Sequence, residues 1–182
     1  MTLILPIREN LELRSHAPED AQTLFDVAKK NDAHLRQWLP WLDDDKTVAD
    51  TENYIKESIE RLSKDEGIDL SIWYENQLIG GIGIYPLDLN HKKTSLAYWL
   101  TEEFQGKGIM NDSLKVVIEY LFTEKKLNRI EVCCAIGNTK SSALPKKLGF
   151  KFEGISRESE WLYDHFVDME VYSLLAKEWN KN

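Results

Sequence analysis

The sequence predicts a mixed α/β domain, and three observations carry that prediction. Short runs of alternating or β-branched residues are interleaved with segments of helical period, in the order β-α-α-β-β-β-α-β-α-β-β. The chain has 182 residues, 42% hydrophobic and 30% charged, which is enough to bury a core and too apolar for disorder. No repeat and no low-complexity linker interrupts it, so residues 1–182 read as one domain.

Leu11-Glu12-Leu13-Arg14 alternates and predicts the first strand. His16-Ala17-Pro18-Glu19-Asp20 opens a helix with acids in its first turn and Ala21, Leu24, Phe25 and Ala28 on one face. Gln37-Trp38-Leu39-Pro40-Trp41-Leu42 is an aromatic break before a second helix over Val48 to Ser63, which carries Tyr54, Ile55, Ile59 and Leu62. The segments Asp69 to Tyr74 and Leu78 to Tyr85 are strands, joined into a hairpin by Glu75-Asn76-Gln77. A further strand, Thr94 to Thr101, leads into a glycine turn. The helix after it places Leu114, Val117, Ile118, Leu121 and Phe122 in one apolar stripe. Arg129 to Ala135 is a strand, and Asn138 to Leu148 is a short helix closed by Gly149. Pro145 inside that helix predicts a kink or a late start. Strands near Phe152 to Glu160 and Phe166 to Leu175 precede a helical tail through Trp179.

Composition narrows the function. The formal charge of −8 argues against a nucleic-acid partner and is compatible with cationic partners such as amines. No stretch approaches the ~20 apolar residues of a membrane span, and no secretion signal is visible. Cys133 and Cys134 are adjacent and cannot close a long loop, so the expected compartment is the reducing cytoplasm. The run Asp43-Asp44-Asp45 reads as a solvated loop, and no metal-ligand spacing accompanies it. No metal is expected.

The most informative stretch is Tyr98 to Met110, a strand, a turn of Gly106-Lys107-Gly108, and a helix N-terminus. Freed amides and the positive end of a helix make a site for phosphate groups. Three cofactor classes compete. A dinucleotide fingerprint fails because Asn111 stands at the third glycine position. A nucleotide P-loop fails because no glycine lies five residues before either turn glycine and no Ser or Thr follows Lys107.

The third class rests on likeness. Gln105-Gly106-Lys107-Gly108-Ile109-Met110 resembles the Q/R-x-x-G-x-G/A motif of the GNAT acetyltransferases. About 30 residues on, Ala135-Ile136-Gly137-Asn138-Thr139-Lys140-Ser141 looks like that family's A-x-x-N-x-x-S stretch, and Lys147-Leu148-Gly149-Phe150 like its K-x-G-F ending. With the opening Leu-Glu-Leu-Arg and Trp38-Leu39-Pro40-Trp41, the chain is most similar to the RimJ/RimL type, protein N-terminal acetyltransferases that include the ribosomal-protein-serine enzymes. Met110 departs from the motif, which has a small residue there. The resemblance implies the acyl-CoA N-acyltransferase fold, a mostly antiparallel sheet with flanking helices, and acetyl-CoA as acyl donor.

Acyl transfer from a thioester to an amine needs a neutral amine, N–H donors for the oxyanion and a proton for the leaving thiolate. The resemblance assigns the amides of Gly106, Lys107, Gly108, Ile109 and Met110 to the pyrophosphate, with Gln105 opening the turn. It assigns the strand at Trp99 and Leu100 to the pantetheine arm, and Asn138 to that arm as well, beside a helix N-cap role. Ser141 matches the proton donor of the RimL type, and Glu160 its base, with Glu158 as rival one strand period away. Trp38 and Trp41 read as core anchors or as a border of the acceptor groove, and His165 as structural. The acceptor is expected to be a protein N-terminus, reached by direct transfer in a ternary complex. The alternatives are a small amine (polyamine or antibiotic) or a CoA-binding module without catalysis. Likeness also suggests a homodimer or higher assembly.

Overall fold

The computed structural model describes residues 2–179. Eight strands form one sheet: β1 Ile4–Arg8, β2 Leu11–Ser15, β3 Ile68–Tyr74, β4 Gln77–Ile84, β5 Lys93–Leu100, β6 Arg129–Ala135, β7 Lys151–Leu162 and β8 His165–Leu175. Their order is β1-β2-β3-β4-β5-β6-β8-β7. The helices are α1 Ala21–Lys30, α2 Asp32–Leu35, α3 Val48–Ser63, α4 Ile109–Thr123, α5 Thr139–Lys147 and α6 Ala176–Trp179. Among the described residues every strand pair is antiparallel except β5 with β6. That parallel pair needs a crossover, and α4 supplies it.

Strand alternation sorts the two faces. Leu11, Leu13, Leu70 and Ile72 pack with Leu114, Val117, Ile118 and Leu121 of α4 in the main core. On the opposite face, Trp73 and Trp99 pack with Ala21 and Leu24 of α1 and Ile55 of α3. Asp50 starts α3 by accepting the Thr47 N–H at 2.8 Å, one half of a capping box.

The pairing of β5 with β6 runs only from Lys93↔Arg129 to Leu96↔Val132. Beyond it, β5 stays paired with β4 as far as Leu100, and β6 with β8 as far as Ala135. The sheet is therefore split by a wedge whose two walls are each held by their outer neighbours.

Three readings of the sequence need correction. The segment Ile4–Arg8 is a strand, although the sequence suggested none there; it carries Pro6, which an edge strand tolerates. The short helix starts at Thr139 and continues through Pro145, so its start is not late. Glu158 has φ +47° inside the register shift between Ser156 and Glu160, so this stretch is not extended and does not set Glu158 and Glu160 one strand period apart.

Candidate active site

The glycine turn closes the β5 side of the wedge. Gly106 and Gly108 have φ +73° and +78°, and a Cβ at either would meet nothing within 4 Å. Backbone conformation, not crowding, is what calls for glycine here. No side chain caps α4. The helix ladder begins at Asp112, whose N–H donates to the Gly108 carbonyl at 3.0 Å. The amides of Gly106 to Asn111 thus have no main-chain acceptor among the described residues, and they lie at the positive end of a 15-residue helix. Ile109 and Met110 bury their side chains in the core, which turns only their backbone outward and gives Met110 a packing role. This arrangement fits the diphosphate of CoA. Lys107 Nζ lies 4.7 Å from the Phe104 ring centre.

Gln105 spans the mouth of the wedge. Its Nε2 donates to His34 Nε2 at 2.6 Å, and its Oε1 accepts from Lys140 Nζ at 3.1 Å. It thereby ties the turn to α2 on one side and to α5 on the other.

Across the wedge, Asn138 caps α5 by accepting the Ser141 N–H at 3.2 Å. Its amide NH₂ has no partner among the described residues and can serve a ligand. Ser141 sits in a hydroxyl and thiol cluster. Tyr98 O–H donates to the Ser141 carbonyl at 2.9 Å, Ser141 Oγ lies 3.4 Å from Tyr98 Oη, and Cys134 Sγ lies 3.3 Å from Ser141 Oγ. The Ser141 carbonyl is the one that Pro145, lacking an N–H, cannot bond four residues later. Tyr98 fills that place, which is how the helix carries its proline. Burial pushes the Tyr98 hydroxyl well up, so it is protonated and donates. Sequence reasoning placed Tyr98 on the strand before the glycine turn but assigned it no role at the site; only its alternation on β5 toward the α5 face bears on one.

Glu160 is half-buried on β7, and burial alone pushes its carboxyl above the ordinary value. No side-chain partner holds it among the described residues. On β6, burial raises the Cys133 thiol most, and the charges of Glu131, Cys134 and Glu160 add to it in that order. Ser141 touches Cys134, on the opposite side of β6, and no hydrogen bond joins Ser141 to Glu160 among the described residues. Glu158 is exposed, and its N–H donates to Asp168 at 2.8 Å. His165 is exposed, with Nδ1 2.7 Å from Asp164 Oδ1.

Trp38 and Trp41 take different places. The Trp38 ring edge stands 3.7 Å from where a Cβ on Gly137 would lie, close to the α5 cap. Trp41 lies tilted against Trp99, with ring centres 6.3 Å apart, and borders a cavity on the α1–α3 side of the sheet. The Tyr163 hydroxyl, on the β7–β8 turn, donates to the carbonyls of Arg36 and Leu39 at 2.6 and 3.1 Å. The tip that follows Glu160 is therefore anchored to the segment that carries both tryptophans. No cluster of three or more metal-ligating side chains occurs among the described residues. No described helix is long and apolar enough to cross a membrane.

Residues 10–151 match the family described as Acetyltransferase (GNAT) domain. The chain is 34% identical over 175 residues to a Bacillus subtilis (strain 168) protein provisionally named ribosomal N-acetyltransferase YdaF, covering 95% of each. It is 27% identical over 173 residues to the ribosomal-protein-serine acetyltransferase of Escherichia coli (strain K12), covering 95% of this chain and 97% of that one. Among solved structures it is similar to RimL, a ribosomal L7/L12 alpha-N-protein acetyltransferase in complex with coenzyme A. There the TM-score is 0.92 at 25% identity, covering 95% of this chain and 98% of that one.

Proposed function

The chain belongs to the GNAT acetyltransferase family and is an acetyl-CoA-dependent N-acetyltransferase, and from that premise we propose that its acceptor is the α-amino group of a protein N-terminus, on a ribosomal protein in particular. Likeness over nearly the full length to enzymes named for ribosomal proteins supports the acceptor class. The observation that carries the catalytic reading is an open wedge with a free amide cradle at its mouth and, beyond its far wall, a half-buried carboxylate without a side-chain partner among the described residues.

Acetyl-CoA supplies the acyl group as a thioester. The amides of Gly106 to Met110 bind its diphosphate, and the edge of β5 at Trp99 and Leu100, paired with β4 but not with β6, aligns its arm together with the Asn138 amide. An α-amine with pKa near ~8 is substantially protonated at neutral pH. Glu160 removes that proton, directly or through water, and its raised pKa strengthens it as a base. On the other side of β6, Ser141 holds a hydroxyl oriented by Tyr98 and Cys134, placed to share a proton with the leaving sulfur.

The test is turnover of peptides beginning with Ser, Ala or Met, read as mass gain at the N-terminus. Glu160→Gln is expected to lower kcat by about 10²–10⁴-fold with CoA affinity kept. Because burial holds the carboxyl above its ordinary 4.5, the base form is lost as pH falls, at a higher pH than for an exposed glutamate. The Glu160 contribution to the acid limb of kcat/KM should therefore lie above 4.5 and be absent in the variant, where only the titration of the amine near ~8 remains. An unchanged rate in Glu160→Gln removes the base from this account. Modification of a polyamine or an aminoglycoside with every peptide untouched overturns the protein acceptor.

A further inference from the structure

The cavity beside Trp41 measures about 330 Å³ and lies on the sheet face away from α4. Its walls are aromatic: Trp41, Tyr54, Tyr85 and Trp99. Two glycines of β4 make the room. A Cβ on Gly81 would stand 2.7 Å from Trp99 Nε1, and one on Gly83 2.5 Å from the Tyr85 ring. Asp44, Asp45 and Asp50 form the rim, and Asp69 and Ser71 lie at the floor.

Much of this polarity is already committed. Asp69 accepts from Tyr54 Oη at 2.9 Å and from Arg61 Nη2 at 2.8 Å, so both its oxygens are used. Asp50 commits Oδ2 to the α3 cap. His16, buried against Ser58, is held low by burial and brings no positive charge. What is left over is one-sided. Asp45 has one oxygen on the Thr51 hydroxyl, and among the described residues its other oxygen has no hydrogen-bond partner and Asp44 no ion pair. The Ser71 hydroxyl is orphaned: the residue is 1% exposed, and its Oγ has no hydrogen-bond partner. Strand alternation puts Ser71 on the same face as Asp69 and Trp73, directly under the cavity. A buried hydroxyl without a partner is costly unless a ligand supplies one. Aromatic walls, free carboxylate oxygens and a spare hydroxyl acceptor together suit a group that is cationic and donates hydrogen bonds.

We infer that this cavity binds a second, cationic group of the acceptor, an ammonium or guanidinium carried on the same molecule as the amine that is acetylated. The inference rests on the reading of the chain as an amine acetyltransferase and deepens it. Trp99 joins the two places, since its backbone lines the wedge and its indole walls the cavity. For a protein acceptor the cation is a lysine or arginine side chain close to the N-terminus. For a small acceptor it is a further amine of a polyamine.

The experiment compares kcat/KM for two peptides that share a first residue and differ only in Lys or Leu at the following positions. Spermidine is run as a separate acceptor. The wild-type protein should prefer the lysine peptide by roughly tenfold. Ser71→Ala, which removes no existing contact, and Asp44→Asn at the rim should each bring that ratio toward one. Saturable quenching of tryptophan fluorescence by an N-acetylated lysine peptide gives a second readout that needs no turnover. Equal kcat/KM for the two peptides, or a preference indifferent to both substitutions, overturns the cationic pocket while the N-terminal acceptor stands. Acetylation of spermidine but of no peptide, sensitive to Ser71→Ala, keeps the pocket and overturns the protein acceptor.

Discussion

Tyr98 does at the residue scale what no single local motif could announce. Asn138, Ser141 and Gly149 could be read from the chain because a cap, its partner three residues on and a closing glycine are local chemistry. Tyr98 meets Ser141 from 43 positions away, and that meeting exists only once β5, β6 and α5 have packed. Glu160 was singled out by likeness, and its half-burial raises its carboxyl above the ordinary value. Tyr98→Phe removes the donor to the Ser141 carbonyl and leaves that acceptor unmet beside a proline. It should cost about 1–3 kcal/mol in urea unfolding. If the hydroxyl also orients Ser141, kcat should fall while KM for acetyl-CoA holds. Lost stability with kcat intact would make Tyr98 a support for α5 and nothing more.

Among the elements, the long helices and the central strands were legible because each has a period that only one structure satisfies, whereas the four-residue α2 is too short to show one. Helix α3 spans the residues its pattern marks, and β6 likewise. The edges were less so. Strand β1 escaped because Pro6 argues against a strand unless the strand is known to lie at an edge. Strand β7 misled at Glu158, since a register shift leaves no trace in alternation. What secures β7, the strand that carries Glu160, is a three-strand clip. Arg129 of β6 donates to both oxygens of Glu153 at 2.7 and 2.6 Å, and the Ser173 hydroxyl of β8 adds a third bond at 2.6 Å. Arg129 first, then Ser173, holds the Glu153 carboxyl down to about 2. A carboxyl depressed on folding stabilises above its unfolded value near 4.5, and that contribution fades as pH falls through about 2. Urea unfolding followed between those pH values should therefore show a loss of stability that Glu153→Gln flattens. A variant with the same slope would assign that acid sensitivity to other carboxylates.

Taken whole, the molecule is two half-sheets that share four residue pairs between β5 and β6, with the glycine turn and α5 standing on opposite sides of the gap. The motifs at residues 105–110 and 138–150 pointed to this arrangement through likeness, while the cavity with its orphaned Ser71 lay beyond them. Its makers are glycines of β4 that alternation alone reads as ordinary strand. A ligand whose diphosphate sits on α4 and whose arm lies between β5 and β6 binds the folded state at both halves and the unfolded chain at neither. Linkage then fixes the size of the effect. At 100 times its dissociation constant such a ligand adds about 2.7 kcal/mol. For a chain of this length each kcal/mol moves Tm by about 2–4 °C, so CoA should raise it by about 5–10 °C. Replacing Gly106 and Gly108 by alanine forces a Cβ into positive φ and turns the amides away, so the variant should lose most of that rise relative to its own free form. Calorimetry with and without CoA makes the comparison, independent of any acceptor. An equal rise in the glycine variant would mean that the nucleotide is held elsewhere than on the N-terminus of α4.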